Sequence, residues 1–560
     1  MMPAQPPAAP RAARLRGWRL WVVRLALAAG APVLFFGVIE GCLRVGGYGE
    51  PVTFFVKNVD GTQFTTNPAF CAQFFPAGTA EPPWPAQMPV RKPAGTLRIF
   101  VLGESAAMGT PDPSFGFARQ LELMLRRAYP ARRFEVVNAA VRGINSHIMR
   151  PIARECAAHE PDAFVIYAGN NEFTGLYAPE PGRPDLTAHP RLLRLITRAK
   201  MTKSAQLVRA LVRRAAPAPV EARQDMPFFR ARRLAADGAE RAAIAENFRA
   251  NLRAICAATR APAVLSTVAV NLRDCPPLAS LHRADLRAAD TVRWQILYAA
   301  GVAAENTGAP ENAAASYRAA AALDDHFAEL HYRLARCTAG DSLAAYAAAR
   351  DWDALPFRAD RRLNDAVRAT ARDLALPLVD AEAAFAGSAA GAPGDALFYE
   401  HVHLRFAGDY LLARTLFPRV AEALALGPPT ADFPPSADCQ AALGYNDWDA
   451  LDMDAAIVQL TAGPPFLDQL DHAARQARAA SDVAERTRRF DPAAMRRAAA
   501  TARAAVEKNP GDWQLRFILG RTLLAFGQPA EAVPHLEAAV RAVPGYGLPR
   551  QLLTQAQAAH

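Results

Sequence analysis

Cysteine is scarce in this chain and spaced for neither metal nor redox chemistry. The seven cysteines, Cys42, Cys71, Cys156, Cys256, Cys275, Cys337 and Cys439, include no Cys-x-x-Cys pair. That removes sequence support for structural zinc and for a thioredoxin-like site. Their number is odd, so an oxidising compartment would still leave at least one thiol without an intramolecular partner. Clusters of Lys and Arg interleaved with aromatics are also missing, as is zinc-finger spacing. The net charge of +10 comes from arginines scattered among alanines, not from the basic stripe that a phosphate backbone requires. Nucleic-acid binding is not expected.

What is present is a chain of 560 residues, 51% hydrophobic and 21% charged. That balance is globular, and the length exceeds what one simple core organises. Arg11, Arg14 and Arg16 precede, and Arg19 lies at the start of, a largely apolar stretch from Trp18 to about Leu43, whose centre, Leu25 to Ile39, carries no charge. A helix needs about 20 such residues to cross a bilayer. Arg24 lies in the first turns, where a long side chain snorkels to the interface beside Trp18 and Trp21. The basic flank assigns the N-terminus to the cytoplasm and exports the rest of the chain. A cleaved signal peptide is the rival, since Ala28-Ala29-Gly30 imitates a cleavage site. The apolar run continues through Phe36, which favours an uncleaved single-pass anchor with a periplasmic remainder. The expected segments are a basic N-terminus over 1–17, a transmembrane anchor over 18–43 and a Pro- and aromatic-rich stem over 44–95.

After the stem the texture changes. Short β-rich runs, Leu97–Leu102, Phe134–Asn138, Ala163–Tyr167, Ala263–Val268 and Leu378–Asp380, alternate with helical stretches such as Phe117–Tyr129. Such alternation predicts an α/β fold with a parallel sheet between helix layers. Ligands in such sheets bind at the carboxyl ends of the strands. Helical sequence interrupts the alternation at about 181–245 and 285–347, and fills 431–560 after a catalytic region over 96–430.

The strand ends carry the chemistry. The first gives Gly103-Glu104-Ser105, the second Gly143, the third Gly169-Asn170-Asn171-Glu172, and a late loop gives Glu400-His401-Val402-His403. A serine hydroxyl becomes a nucleophile when an imidazole takes its proton, and a carboxylate fixes that imidazole's tautomer. Donors to the oxyanion are worth about 2.7–4 kcal/mol each. Ser105 is the candidate nucleophile, His403 its base and Glu400 the orienting acid, with Asp395 as the alternative acid. The backbone N–H groups of Ser105 and Gly143 and the amide of Asn171 are the candidate oxyanion hole. Each has a plainer reading: Ser105 as a helix cap, Gly143 and Asn171 as turn residues. His401, His403 and Glu400 could together ligate a metal, but no further His/Asp cluster accompanies them. His147 is near the second block and is given no role.

In this order the blocks resemble those of the SGNH/GDSL hydrolases, centred on Ser, Gly, Asn and an Asp-x-x-His pair. The resemblance covers roughly residues 96–425. It implies a three-layer α/β/α, flavodoxin-like sandwich, acyl-ester hydrolysis through an acyl-serine, and no metal or organic cofactor. It also implies an ester substrate, on a lipid or an acylated carbohydrate, and selects His403 over His401. The chain departs from the pattern in reading Gly-Glu-Ser, Asn171-Glu172 and Glu400-x-x-His403, with glutamate at each usual aspartate. Transfer of an acyl group to a cell-envelope polysaccharide and a non-enzymatic scaffold are the alternatives.

Leu519-Gly520, Ala532, Leu536, Ala539 and Pro544 match the small/large spacing of a tetratricopeptide repeat, and Pro510 lies one 34-residue period before Pro544. A weaker match runs from Gly301 through Ala313 and Ala320 to Leu334-Ala335. Generic alanine-rich helical hairpins would look the same. Such repeats would offer a surface for a protein or polymer partner.

Overall fold

The computed structural model describes residues 17–76, 78–179, 186–215, 225–338, 342–388 and 391–559. They fall into two compact units, residues 1–52 with 198–219, and residues 53–197 with 220–560. The basic N-terminal flank of Arg11, Arg14 and Arg16 lies outside the described residues.

In the first unit, helix α1 (Gly17–Val45) contains a segment, Leu20–Val45, with a mean hydropathy of 2.1 and none of its most apolar window buried. It is long and apolar enough to cross a membrane. The Arg24 guanidinium lies over the Trp21 ring, 5.7 Å from its centroid. A second helix of this unit, Lys203–Ala215, packs against α1.

The second unit opens with a small antiparallel sheet in the stretch expected as a stem. It comprises β1 (Phe55–Lys57), β2 (Gln63–Thr66) and β3 (Gln87–Pro89). Phe54, Phe70 and Met88 are fully buried beneath it. The backbone N–H groups of Phe54 and Phe55 donate to the Glu155 carboxylate, at 2.7 and 2.6 Å. This region is therefore folded onto the larger domain.

The larger sheet has five parallel strands, β4 (Thr96–Gly103), β5 (Arg133–Asn138), β6 (Ala163–Tyr167), β7 (Ala263–Ser266) and β8 (Leu378–Val379). Each coincides with an expected β run. The order is β5-β4-β6-β7-β8. Helices cover both faces, which is why β4 and β6 read as nearly unbroken apolar runs instead of alternating ones.

One face carries α2 (Ser105–Met108), α3 (Phe117–Ala128) and, later in the chain, α7 (Phe406–Ala423). The other carries α4 (Ser146–Cys156), α5 (Ala239–Thr259) and α6 (Arg361–Asp373). In α3, Phe117, Leu121, Met124, Leu125 and Ala128 recur at helical spacing and are all buried. Asp409 of α7 accepts from the Phe117 N–H at 2.9 Å, so one helix of this layer caps its neighbour's N-terminus. The architecture is the expected three-layer α/β/α sandwich.

The two helical regions are hairpins. In the insertion, Trp294, Ala313, Tyr317, Ala320 and Leu330 form a separate small core. At the C-terminus, the helices Pro492–Lys508, Trp513–Ala525, Pro529–Ala542 and Gly547–Ala559 stack in sequence. Gly520 is glycine for a reason of space, because a β-carbon there would stand 2.8 Å from the Leu536 side chain. These helices are not a free appendage. Phe115, Tyr399 and Phe406 of the sandwich share one hydrophobic core with Leu515, Phe517, Leu519 and Leu536. All seven cysteines are unpaired.

Candidate functional site

The sheet order places β4 between β5 and β6, so the chain leaves β4 toward one side and returns on the other. This is the switch point at which doubly wound sheets leave a crevice beyond their strand ends. The three early blocks all sit there. Gly103, the last residue of β4, is paired in register with Tyr167. A β-carbon at Gly103 would collide with the Tyr167 carbonyl and with Ala107, so only glycine lets the chain turn sharply into α2. Ser105 is the first residue of that helix, held at the mouth of the crevice.

His403 comes from the opposite end of the domain. A bridge between Phe398 and Leu404 and a 2.8 Å hydrogen bond from the Tyr399 N–H to the His403 carbonyl close a tight turn around Glu400–His403. The turn brings His403 Nε2 to 2.8 Å from Ser105 Oγ. That is the separation a base needs from the hydroxyl it deprotonates.

Glu400 lies on the far side of the imidazole, its Oε1 2.6 Å from His403 Nδ1, although that nitrogen lacks hydrogen-bond alignment with the oxygen. The carboxylate also accepts from the backbone N–H groups of His401 and His403, each at 2.8 Å. Its second oxygen is in contact with His401 Nδ1. Glutamate, one methylene longer than aspartate, thus folds back over its own turn and meets both histidines. His401 packs against Phe357 and Phe466 and does not point at Ser105 by any observed contact. Asp395 accepts instead from Asn271 at 2.8 Å, and burial beside Asp274 pushes it up to about 6.

Gly143 has φ +74°, a left-handed conformation that favours glycine, and a β-carbon there would lie 3.5 Å from the Phe75 ring. The Asn171 amide donates to the carbonyl of Ile144, the next residue, at 2.9 Å. The second and third strand-end loops are therefore tied together, and the same amide nitrogen keeps a second N–H.

Two glutamates that sequence reasoning treated only as departures do structural duty here. Glu104, buried beside Ser105, accepts from the backbone N–H groups of Gly169 (3.3 Å) and Asn171 (3.1 Å). Glu172 accepts from the Ser146 N–H (2.7 Å) and hydroxyl (2.9 Å) at the start of α4. The signal for them was available: each immediately neighbours a residue assigned to the site. Burial and mutual repulsion push Glu104 well above the usual carboxylate range, and burial pushes Glu172 up to about 7.

Burial acts in the opposite sense on the imidazoles. It draws His403 down to about 3, with the Arg142 guanidinium adding repulsion. His401 is likewise held far below its usual range by burial, His403 and Arg358. Burial also lowers His147, to about 4, where its Nδ1 faces the Asn251 amide at 3.2 Å. His403 is therefore neutral at pH 7, the form that accepts a proton. Among the described residues, no group of three or more His, Cys, Asp or Glu side chains is arranged to hold a metal ion.

The C-terminal helices reach the turn that carries Glu400 and His403. Arg405, two residues after His403, pairs with Asp454 at 2.8 Å and stacks on the Tyr399 ring. A cleft of about 500 Å³ between Tyr399–Glu400 and the helices Asp447–Thr461 and His472–Arg488 opens behind Glu400. Ser105 does not line it.

No protein-family model matches the sequence, and no curated protein matches it. Among solved structures, an acetylxylan esterase from Geobacillus stearothermophilus is similar at 13% identity, over 59% of this chain and 95% of that one, with a TM-score of 0.29. A GDSL-like lipase from Parabacteroides merdae is similar at 12% identity, over 59% and 96%, with a TM-score of 0.29. An α/β hydrolase from the metagenome of Lake Arreo is similar at 13% identity, over 59% and 95%, with a TM-score of 0.26.

Proposed function

We propose that this chain is a serine hydrolase of the SGNH/GDSL type that cleaves carboxylic esters through an acyl-Ser105 intermediate. The observation that carries the reading is the 2.8 Å contact between Ser105 Oγ and the neutral imidazole of His403, with the Glu400 carboxylate against its far nitrogen. The hydroxyl proton passes to Nε2 as Oγ attacks the acyl carbon, and the carboxylate stabilises the imidazolium that forms. The oxyanion draws on the Ser105 and Gly143 N–H groups and the free N–H of Asn171. Collapse expels the alcohol, which takes the proton from Nε2. Water then enters the same cycle, releasing the acid and restoring Ser105. No cofactor takes part in these steps.

A fluorophosphonate probe tests the reading on the full chain. Labelling that disappears in Ser105→Ala, with the fold retained, is the expected result. Undiminished labelling of that variant defeats the assignment.

α1 is read as an uncleaved anchor, supported by its length, hydropathy and lack of burial. The catalytic unit would then face the periplasm, and the helical hairpins would offer a surface to a protein or polymer partner. A mature chain that retains α1 and resists carbonate extraction is expected. Release of a soluble fragment would make the segment a signal peptide.

A further inference from the structure

The helix Lys203–Ala215 belongs with α1, yet the ester-hydrolase reading gives it no role. Its N-terminus is built onto α1. Glu40 accepts from the backbone N–H groups of Lys203 (3.0 Å) and Ser204 (2.8 Å) and from the Ser204 hydroxyl (2.8 Å), satisfying donors that a helix start leaves open. Glu50 and Gln206 exchange hydrogen bonds of 3.0 and 2.9 Å, and Lys203 Nζ donates to the Gly49 carbonyl at 3.0 Å. The first turns are therefore pinned to the segment that leaves α1.

Those contacts fix a depth. Leu20 to Ile39 is about 20 residues, which at about 1.5 Å each spans the roughly 30 Å hydrocarbon layer. A carboxylate is costly inside that layer, so Glu40 marks its edge, and the pinned helix starts at the same level. Beyond the pin, Val208, Leu211 and Val212 are 52%, 52% and 58% exposed. They stand at i, i+3 and i+4, forming one apolar stripe. Arg209 and Arg214 flank that stripe and Arg213 stands behind it. An apolar stripe bordered by arginines, at the level of a bilayer edge, complements an anionic lipid surface in both parts of its chemistry.

We propose that the Lys203–Ala215 helix lies on the membrane surface on the side from which α1 emerges. Its Val208–Leu211–Val212 stripe sits in the headgroup–acyl boundary, and the arginines that flank the stripe face anionic phospholipid headgroups while Arg213 faces away from the membrane. The proposal rests on the reading of α1 as a membrane span. It is tested on the full chain reconstituted in vesicles of phosphatidylethanolamine and phosphatidylglycerol. An environment-sensitive fluorescent amino acid is placed singly at Val212, Arg213 or Phe35, and lipids spin-labelled at shallow or deep positions serve as quenchers.

The expected result is loss of most Val212 emission to the shallow quencher, little loss at Arg213, and deep quenching at Phe35. Deep quenching at Phe35 with no difference between Val212 and Arg213 overturns the surface helix and leaves the span intact. A Phe35 probe that neither quencher reaches overturns the span, and the surface helix with it.

Discussion

Arg521, on a C-terminal helix, donates through Nη1 to the Asp112 carboxylate at 2.8 Å, in the turn after α2. Its Nη2 donates to Asp449, which is wholly buried, at 2.8 Å. Asp112 in turn accepts from the Ser114 N–H at 3.0 Å. A residue more than four hundred positions downstream thus ties the turn after Ser105 to the C-terminal helices.

Arg521→Ala should therefore destabilise the chain by about 3 kcal/mol, because it strands buried carboxylates. Adding Asp449→Asn should recover part of that loss, as read in denaturant unfolding. Truncation after residue 430 should leave an aggregating chain without turnover, since it strips the core shared with Phe115, Tyr399 and Phe406. A folded, active fragment would show that the sandwich is self-sufficient.

The two histidines of the late turn should separate cleanly. His403→Ala should lose turnover on the order of 10⁶-fold, comparable with loss of Ser105, since members of such a unit act non-additively. His401→Ala should keep most turnover while melting earlier, because its ring is buried against Phe357 and Phe466. Glu400→Gln should fall between, by up to about 10⁴-fold. An inactive His401→Ala beside an active His403→Ala, both folded, would reverse the assignment.

Asn171→Ala should slow turnover by about 10²–10³-fold if the amide donates to the oxyanion. The loss should appear in kcat more than in KM, because the charge it meets develops only in the transition state. An unchanged kcat would leave Asn171 as the tie to Ile144 alone.

Activity should persist into acid. A neutral imidazole is required, and burial holds His403 down at about 3, so the acid limb of kcat/KM should lie well below the usual histidine value of about 6.5. An acid limb at 6.5 or higher, measured on a substrate without its own titration, would contradict that environment.

Stability should fall as pH rises between about 4.5 and 7. Glu172 moves from an ordinary 4.5 up to about 7 on folding, so between those values the folded chain binds more protons than the unfolded one. Its contribution is greatest below about 4.5, declines as pH rises toward 7 and then levels. In Glu172→Gln the melting temperature should vary less across that window, and an unaltered profile would remove Glu172 as its source.

Much of the molecule was legible in the sequence. The five strands were readable because strands buried on both faces become short apolar runs, and glycine at their ends marks where the chain must turn. Ser105, Gly143 and Asn171 were singled out as candidates by the same logic, since each lies at or just beyond a strand end. The N-terminal helix was readable from hydropathy alone, because its apolar run is long and nearly uninterrupted.

What the sequence left open depended on contacts between distant positions. Whether Glu400 or Asp395 meets His403 turns on how the Phe398–Leu404 bridge closes the loop, and no local pattern encodes that. The stretch over 44–95 read as a stem because its strands are only three or four residues long, too short for periodicity to register. Glu104 and Glu172 looked like conservative departures until their carboxylates were seen to hold backbone N–H groups of neighbouring loops. The C-terminal helices read as an appendage because helical spacing reports which face is apolar and not what covers it. The sequence by itself determined the elements and the chemical groups at their ends, through short-range periodicity and turn geometry. Tertiary structure alone decided which carboxylate stands beside which imidazole and which helices brace the turns at Ser105 and His403, because those pairings arise from packing across hundreds of residues.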